Sequence, residues 1–284
     1  MSAKPTGAAD PEPQDAPGAA PFADLLCAVD GSRGSRVAVE QAIALTAPGA
    51  RLRFVAVTQS RGAGLTEMAA LGESRAAEAL EAAAKQAKEA GVGATADLLK
   101  GGSTSDLLLA EVEHHDLLVL GSRGLSRAGG IMLGSTATQA AHRVSRPLLI
   151  SRTHPEAAAF PQRILLASDG SPGSWAAARA TSRVARAFSA AVELVYVPRD
   201  VDPERQRTIA EQAVAIREAT GVDPEFADAS GRVAEEIVEA AGSYRAALVA
   251  VGHRGVRGIR ALGSVSERVA HNAPCSVLVV PPDD

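Results

Sequence analysis

The chain has 284 residues, of which 46% are hydrophobic and 22% charged, and its formal net charge is −4. That length suits two compact domains, each large enough to bury a core without covalent staples. The acidic balance and the 3% aromatic content exclude a nucleic-acid coat or a base-stacking platform.

The two cysteines, Cys27 and Cys275, lie far apart and form no metal or redox spacing, as expected for a reducing compartment. The adjacent His114 and His115 would point to different faces of a helix, a poor chelate. With no signal-like run at the start and no apolar span of eighteen residues, the expectation is a cytoplasmic protein outside membranes.

In chain order, residues 1–21 are rich in Ala, Pro and Gly and read as a disordered tail. A strand at 25–30 (LLCAVD) leads to an alanine-rich helix near 34–47 and a second strand at 52–58. A loop through Gly62 and Gly64 precedes a long helix, about 66–90, that stops at Gly91. A short strand near 94–99 is followed by a helix that Ser103 is placed to cap. Strand 116–120 runs into a glycine loop, and helix 135–144 and strand 147–151 close the unit.

After a linker at 153–161 the order starts again, with Ile164–Ser171 restating the opening strand and its Asp-Gly-Ser end. The second copy has strands near 163–168, 191–197, 225–229, 246–251 and 276–280. The chain therefore divides into a first domain at 22–152 and a second at 162–284. Near-continuous apolar strands alternating with helices imply an α/β fold: two tandem, doubly wound, five-stranded parallel sheets.

The two glycine loops carry the chemistry. Gly121-x-x-Gly124 is followed after nine residues by Gly134-Ser135-Thr136, which opens a helix. Glycines admit close backbone approach or positive φ, and the helix start offers free N–H groups to an anion. Ser135 would cap that helix or donate to a phosphate, and Arg123 and Arg127 would add charge. In the second copy Gly252-x-x-Gly255 is separated from Gly263-Ser264 by seven residues, two fewer, so its cradle is expected to be degraded. Each element alone has a plain reading, Asp30 and Asp169 as turn formers and Gly-Ser as a cap, but the whole set occurs twice. No Walker loop and no common hydrolase signature is present, and the GxGxxA at 91–96 stands between a helix and a strand, the reverse of a dinucleotide-binding context.

With AVDGS ending the first strand and Gly-x2-Gly-x9-Gly-Ser following the fourth, the chain resembles the universal stress protein family over nearly all of its length from residue 22. That resemblance implies the adenine nucleotide α-hydrolase-like sheet, dimerisation through the last strand, a role in stress adaptation, and in many members bound ATP or AMP. Carried across, it places Ala28, Val29 and Asp30 beside the adenosine, with Asp30 near the ribose or a magnesium ion, and Val57 on the adenine through its backbone. Leu120, Gly121 and Gly124 would flank ribose and phosphate, and Gly134, Ser135 and Thr136 would hold phosphates. A hydroxyl residue common in the family is replaced here by Ala137. The second copy matches at Asp169, Gly252, Gly255, Gly263, Ser264, Val265 and Ser266.

Three functions compete: a nucleotide-binding stress regulator acting on a protein partner, a scaffold with vestigial sites, and a slow ATPase. Neither glycine loop supplies a general base, so no catalytic residue is assigned. The strands at 148–151 and 277–280 are expected to pair within the chain, and a homodimer of whole chains is left open.

Overall fold

A computed structural model describes residues 20–58, 66–124, 133–153, 156–198, 202–227, 229–253 and 262–282. Arg127, Gly255, the Gly62–Gly64 loop and most of the first twenty-one residues lie outside that set.

The first copy runs β1 (Asp24–Ala28), α1 (Arg33–Leu45), β2 (Arg51–Thr58), α2 (Thr66–Glu89), β3 (Ala94–Lys100), α3 (Thr104–Val112), β4 (Leu117–Gly121), α4 (Ser135–Arg143) and β5 (Leu148–Ser151). The second runs β6 (Arg163–Ala167), α5 (Pro172–Phe188), β7 (Ala191–Val195), α6 (Pro203–Thr220), β8 (Glu225–Ala227), α7 (Val233–Ser243), β9 (Leu248–Gly252), α8 (Ser264–Asn272) and β10 (Ser276–Val280).

The strands form one ten-stranded sheet in the order β3-β2-β1-β4-β5-β10-β9-β6-β7-β8. Within each copy all pairs are parallel; the single antiparallel pair is β5 with β10, at the centre. There Leu148, Leu149 and Ile150 face Val279, Leu278 and Val277. Both strands would otherwise be exposed sheet edges, and joining them satisfies two rows of backbone groups at once.

Side chains alternate across the strands, so Leu25 and Cys27 enter one apolar layer and Leu26 the other. Helices α1, α2, α5 and α6 cover the first layer, and α3, α4, α7 and α8 the second. Each layer runs through both copies, which is why the strands read as unbroken apolar runs.

Side chains bind the copies together beyond the strand pair. Arg152, just past β5, donates to the carbonyls of Ala273 (2.8 Å) and Ala270, orphan acceptors at the end of α8. Ser276 on β10 donates to Gln41 Oε1 of α1 at 2.8 Å. Burial pushes the Arg152 guanidinium down to about 10, so it is still charged at neutral pH. Among the described residues no helix is long and apolar enough to cross a membrane.

Candidate functional site

In a doubly wound sheet the ligand crevice lies beyond the carboxyl ends of the strands, where the order reverses. In the first copy that place is between β1 and β4. Ala28 is the last residue of β1, and Val29 continues it by donating its N–H to Val55 O at 2.8 Å. Asp30 then closes a tight turn: its Oδ1 accepts from Ser32 N at 2.9 Å, and Gly31 takes φ +77°. The turn-forming role of Asp30 is thus real, and it employs one carboxylate oxygen. The other, Oδ2, lies beside Gly124, where a Cβ would sit 2.6 Å from it.

The glycine loop docks on this turn. Ser32 caps α1 by accepting from Ser35 N and its hydroxyl also donates to Arg123 O at 3.3 Å. A Cβ on Gly34 would collide with that same carbonyl, and one on Gly121 would lie 2.6 Å from Gly34 O and 2.8 Å from Ser35 N. Gly121 therefore serves the packing of β4 on the first turn of α1. Neither Gly121, Gly124 nor Gly134 adopts positive φ, so close approach, rather than left-handed backbone, is what these positions require.

The far end of the loop returns to the same place. Gly134 N donates to Ser122 O at 2.8 Å, and a Cβ there would rest 3.5–3.6 Å from Arg123 and Gly124. Gly134 is the N-cap of α4 and makes no side-chain cap bond. Ser135 is the first helical residue and exposed, which corrects the expectation that it caps the helix; Thr136 is half-buried beside it. The first-turn N–H groups of α4 thus open next to Asp30, Arg123 and Gly124. Leu120 is buried beneath the loop, paired with Ile150, and Val57 lies on β2, two residues past the strand's contact with Ala28.

The second copy repeats the frame with different filling. Asp169 Oδ1 accepts from Ser171 N at 3.1 Å, and Gly252 packs on the backbone of Gly173 and Ser174 as Gly121 does on Gly34 and Ser35. Gly263 N donates to His253 O at 2.9 Å, reproducing the Gly134–Ser122 bond. The two-residue deletion therefore leaves the two ends of the loop held together as in the first copy. Ser264 opens α8, Val265 follows it half-buried, and the Ser266 hydroxyl is spent on Gly252 O at 2.6 Å.

Where the first copy has Val29, the second has Ser168, buried and bonded to Ser174 (3.1 Å) and Gln212. A Cβ on Gly170 would lie 3.3–3.6 Å from Arg205 and Thr208 of α6, whereas one on Gly31 would meet, among the described residues, Ala79 alone, at 3.6 Å. His253, 1% exposed, sends its Nε2 to Ala141 O of α4 at 2.8 Å, so that nitrogen carries the proton.

Sequence reasoning missed Ser32, Gly34 and His253. A signal existed for Gly34, because Gly173 stands at the same four-residue distance from its aspartate. No group of three or more His, Cys, Asp or Glu is arranged to hold a metal among the described residues. His115 is buried on Glu111 O, and both cysteines are buried.

The family model described as "Universal stress protein family" matches residues 21–152 and again 161–281. The chain belongs to the universal stress protein family. A universal stress protein of Mycolicibacterium smegmatis is 31% identical over 63% of this chain and 66% of its own length. One from Methanocaldococcus jannaschii is 33% identical over 42% of this chain and 81% of its own. Among solved structures, a universal stress protein from Archaeoglobus fulgidus aligns over 92% of this chain and 98% of its own, with TM-score 0.76 and 21% identity. That likeness extends to the fold of the whole tandem pair.

Proposed function

We propose that this tandem universal stress protein binds an adenine nucleotide, ATP or AMP, in its first copy, and that occupancy regulates contact with a protein partner in a stress response. The observation that carries the reading is the convergence of the Asp30 turn, the Gly121–Gly124 corner and the uncapped start of α4. A phosphate there would meet backbone N–H groups and the positive end of the helix dipole. Thr136, Ser135 and Arg123 are the side chains at that place that would take its oxygens.

Asp30 would offer its second oxygen to the ribose hydroxyls, or to a magnesium ion carried by the phosphates. One carboxylate is a sufficient protein ligand for magnesium only when phosphate and water complete the shell. Ala28, Val29 and Val57, at the carboxyl ends of β1 and β2, would offer the purine apolar surface and backbone groups. Ala137 lies on the buried face of α4, and its counterpart Ser266 spends its hydroxyl on Gly252 O, so a hydroxyl at 137 would be used within the fold rather than on a phosphate.

The second copy takes nucleotide more weakly or not at all. Its support is the filled Ser168–Ser174–Gln212 network and the Arg205 and Thr208 side chains over its turn. We read the output as binding rather than turnover, because neither glycine loop carries an acidic residue to act as a general base. Mass spectrometry of ligand released from the denatured, freshly purified protein tests the reading. Adenine nucleotide at up to one per chain supports it; its absence, with no binding on titration, would leave the scaffold reading. Phosphate release sustained above a Gly124→Val control would establish the ATPase instead.

A further inference from the structure

Helix α4 opens at the place proposed for the phosphate, yet its own side chains do little to fix where it sits. It is nine residues long, and the three it buries are Ala137, Ala140 and Ala141. Alanines make a low ridge, so no long side chain of the helix interlocks with the sheet to resist a shift along the axis. Laterally it is tied to α3: Ser105 Oγ donates to Gln139 Oε1 at 2.9 Å, and Arg143 donates to Asp106 Oδ1 at 2.6 Å. Both side chains of that ion pair are more than half exposed, so it contributes little.

The C-terminal end of α4 is held from the other copy. The Ala141 carbonyl is among the last four of the helix, which find no partner in the helical ladder. His253, 1% exposed, donates its Nε2–H to that oxygen at 2.8 Å. Its backbone is fixed at the root of the second glycine loop, where its N–H donates to Val280 O (2.7 Å) and its carbonyl accepts from Gly263 N (2.9 Å). Next to Ala141, His142 Nε2 lies 3.4 Å from Glu267 Oε1 in the first turn of α8. The arrangement is reciprocal. Ala270 follows Gly263 by seven residues, as Ala141 follows Gly134, and its carbonyl accepts from Arg152 of the first copy. In each copy the same carbonyl of the helix after the glycine loop takes a donor from the other copy.

We infer that His253 is a positioning residue for the first-copy site: by holding the end of α4 it sets how closely the N-terminal N–H groups of that helix approach the Asp30 turn. The second copy thereby tunes the nucleotide affinity of the first, an inference that rests on the nucleotide reading above. Ala141 stands six residues from Ser135, about 9 Å along the axis, and a continuous helix carries a shift from one end to the other over that distance. Linkage makes the effect mutual, so nucleotide at the start of α4 steadies the His253 bond by the same factor.

Two full-chain variants separate the hydrogen bond from the space it occupies. His253→Leu and His253→Gln both fill the site of the imidazole, and only the glutamine keeps an N–H donor there. Without nucleotide, amide exchange across residues 138–143 is expected to quicken about tenfold in His253→Leu and to return towards the parent in His253→Gln, the scale of one net hydrogen bond. In ATP titration calorimetry the affinity of His253→Leu should fall about three- to tenfold, while His253→Gln stays near the parent. Arg143→Ala, which removes the exposed tie on the same helix, should change affinity by less than about threefold. Parent-like exchange in His253→Leu, or an equal loss of affinity in both His253 variants, would overturn the inference. A parent that binds no ATP would fail the nucleotide reading while the exchange result still decides the seating of α4; parent affinity in His253→Leu would fail this inference alone.

Discussion

Alanine at Gly121 and at Gly124 separates folding from binding in one loop. At Gly121 the new Cβ falls on the Gly34 carbonyl group, 2.6 Å from its oxygen, and 2.8 Å from Ser35 N. Those are backbone atoms at the capped start of α1, between a central strand and its covering helix, and neither element has room to withdraw. Overpacking of that kind costs about 1–3 kcal/mol and more where only backbone can move, so Gly121→Ala is expected to lose about 3 kcal/mol. At Gly124 the Cβ meets, among the described residues, only the Asp30 carboxylate, with Oδ2 2.6 Å away at the free end of a side chain. The carboxylate can swing aside at the expense of its bond to Ser32 N, about 1 kcal/mol. Gly124→Ala should therefore fold nearly as well as the parent while displacing the group proposed to meet the ribose. Urea unfolding and calorimetric titration with ATP, run on both variants, read the two effects separately. Stability lost equally in both, or parent-like nucleotide affinity in Gly124→Ala, would refute the division of labour.

Three further outcomes follow from the same structure. Arg152→Ala removes charge-assisted bonds to two carbonyls at the end of α8 and should cost about 2–4 kcal/mol in urea unfolding; an unchanged midpoint would mean that these bonds add nothing to the junction of the copies. Burial first, and then the Glu225 carboxylate, raise the Glu193 carboxyl above its ordinary value against the pull of Arg163, and its buried Oε2 has no hydrogen-bond partner among the described residues. A raised acid is harmless to the fold while protonated and destabilises it as pH rises through the folded-state value, so Glu193→Gln should raise the melting temperature at pH 7–8. This half-buried, screened group is worth within about 1 kcal/mol, and the gain should vanish at pH 4; equal gain at both pH values would contradict the assignment. Cys27 and Cys275 should resist a thiol reagent in the native protein, with burial holding Cys275 at about 12, and react together on unfolding; rapid native labelling of either would contradict their burial.

Much of this architecture is written locally. The apolar runs at 25–29 and 117–120 and the repeated Asp-Gly-Ser ends place the strands and the crevice, because period and turn chemistry are properties of short segments. Ser103 caps α3 as its position implies, accepting from Asp106 N at 3.2 Å. What escaped is what depends on a second segment. The use of Gly121 and Gly34 shows only once β4 lies on α1, and a glycine chosen for contact looks in sequence like one chosen for positive φ. His253 looks like a variant of Ser122 in the second glycine loop, yet it reaches 112 residues back to Ala141. The deletion between Gly255 and Gly263 was equally opaque, since the Gly263–His253 bond survives it. Nothing in the sequence of α5 shows that Pro21 and Phe22 run beside it.

The central claim, nucleotide in the first copy beside Asp30, is tested most directly by ATP titration calorimetry of the parent, Asp30→Ala and Asp169→Ala. Each aspartate closes an equivalent turn, so both variants lose the same structural bond and differ only in which crevice they touch. The account predicts one site per chain, abolished or weakened at least about tenfold by Asp30→Ala, equivalent to 1.4 kcal/mol, and left in place by Asp169→Ala. Two equivalent sites in the parent, or binding lost with Asp169→Ala and kept with Asp30→Ala, would contradict it.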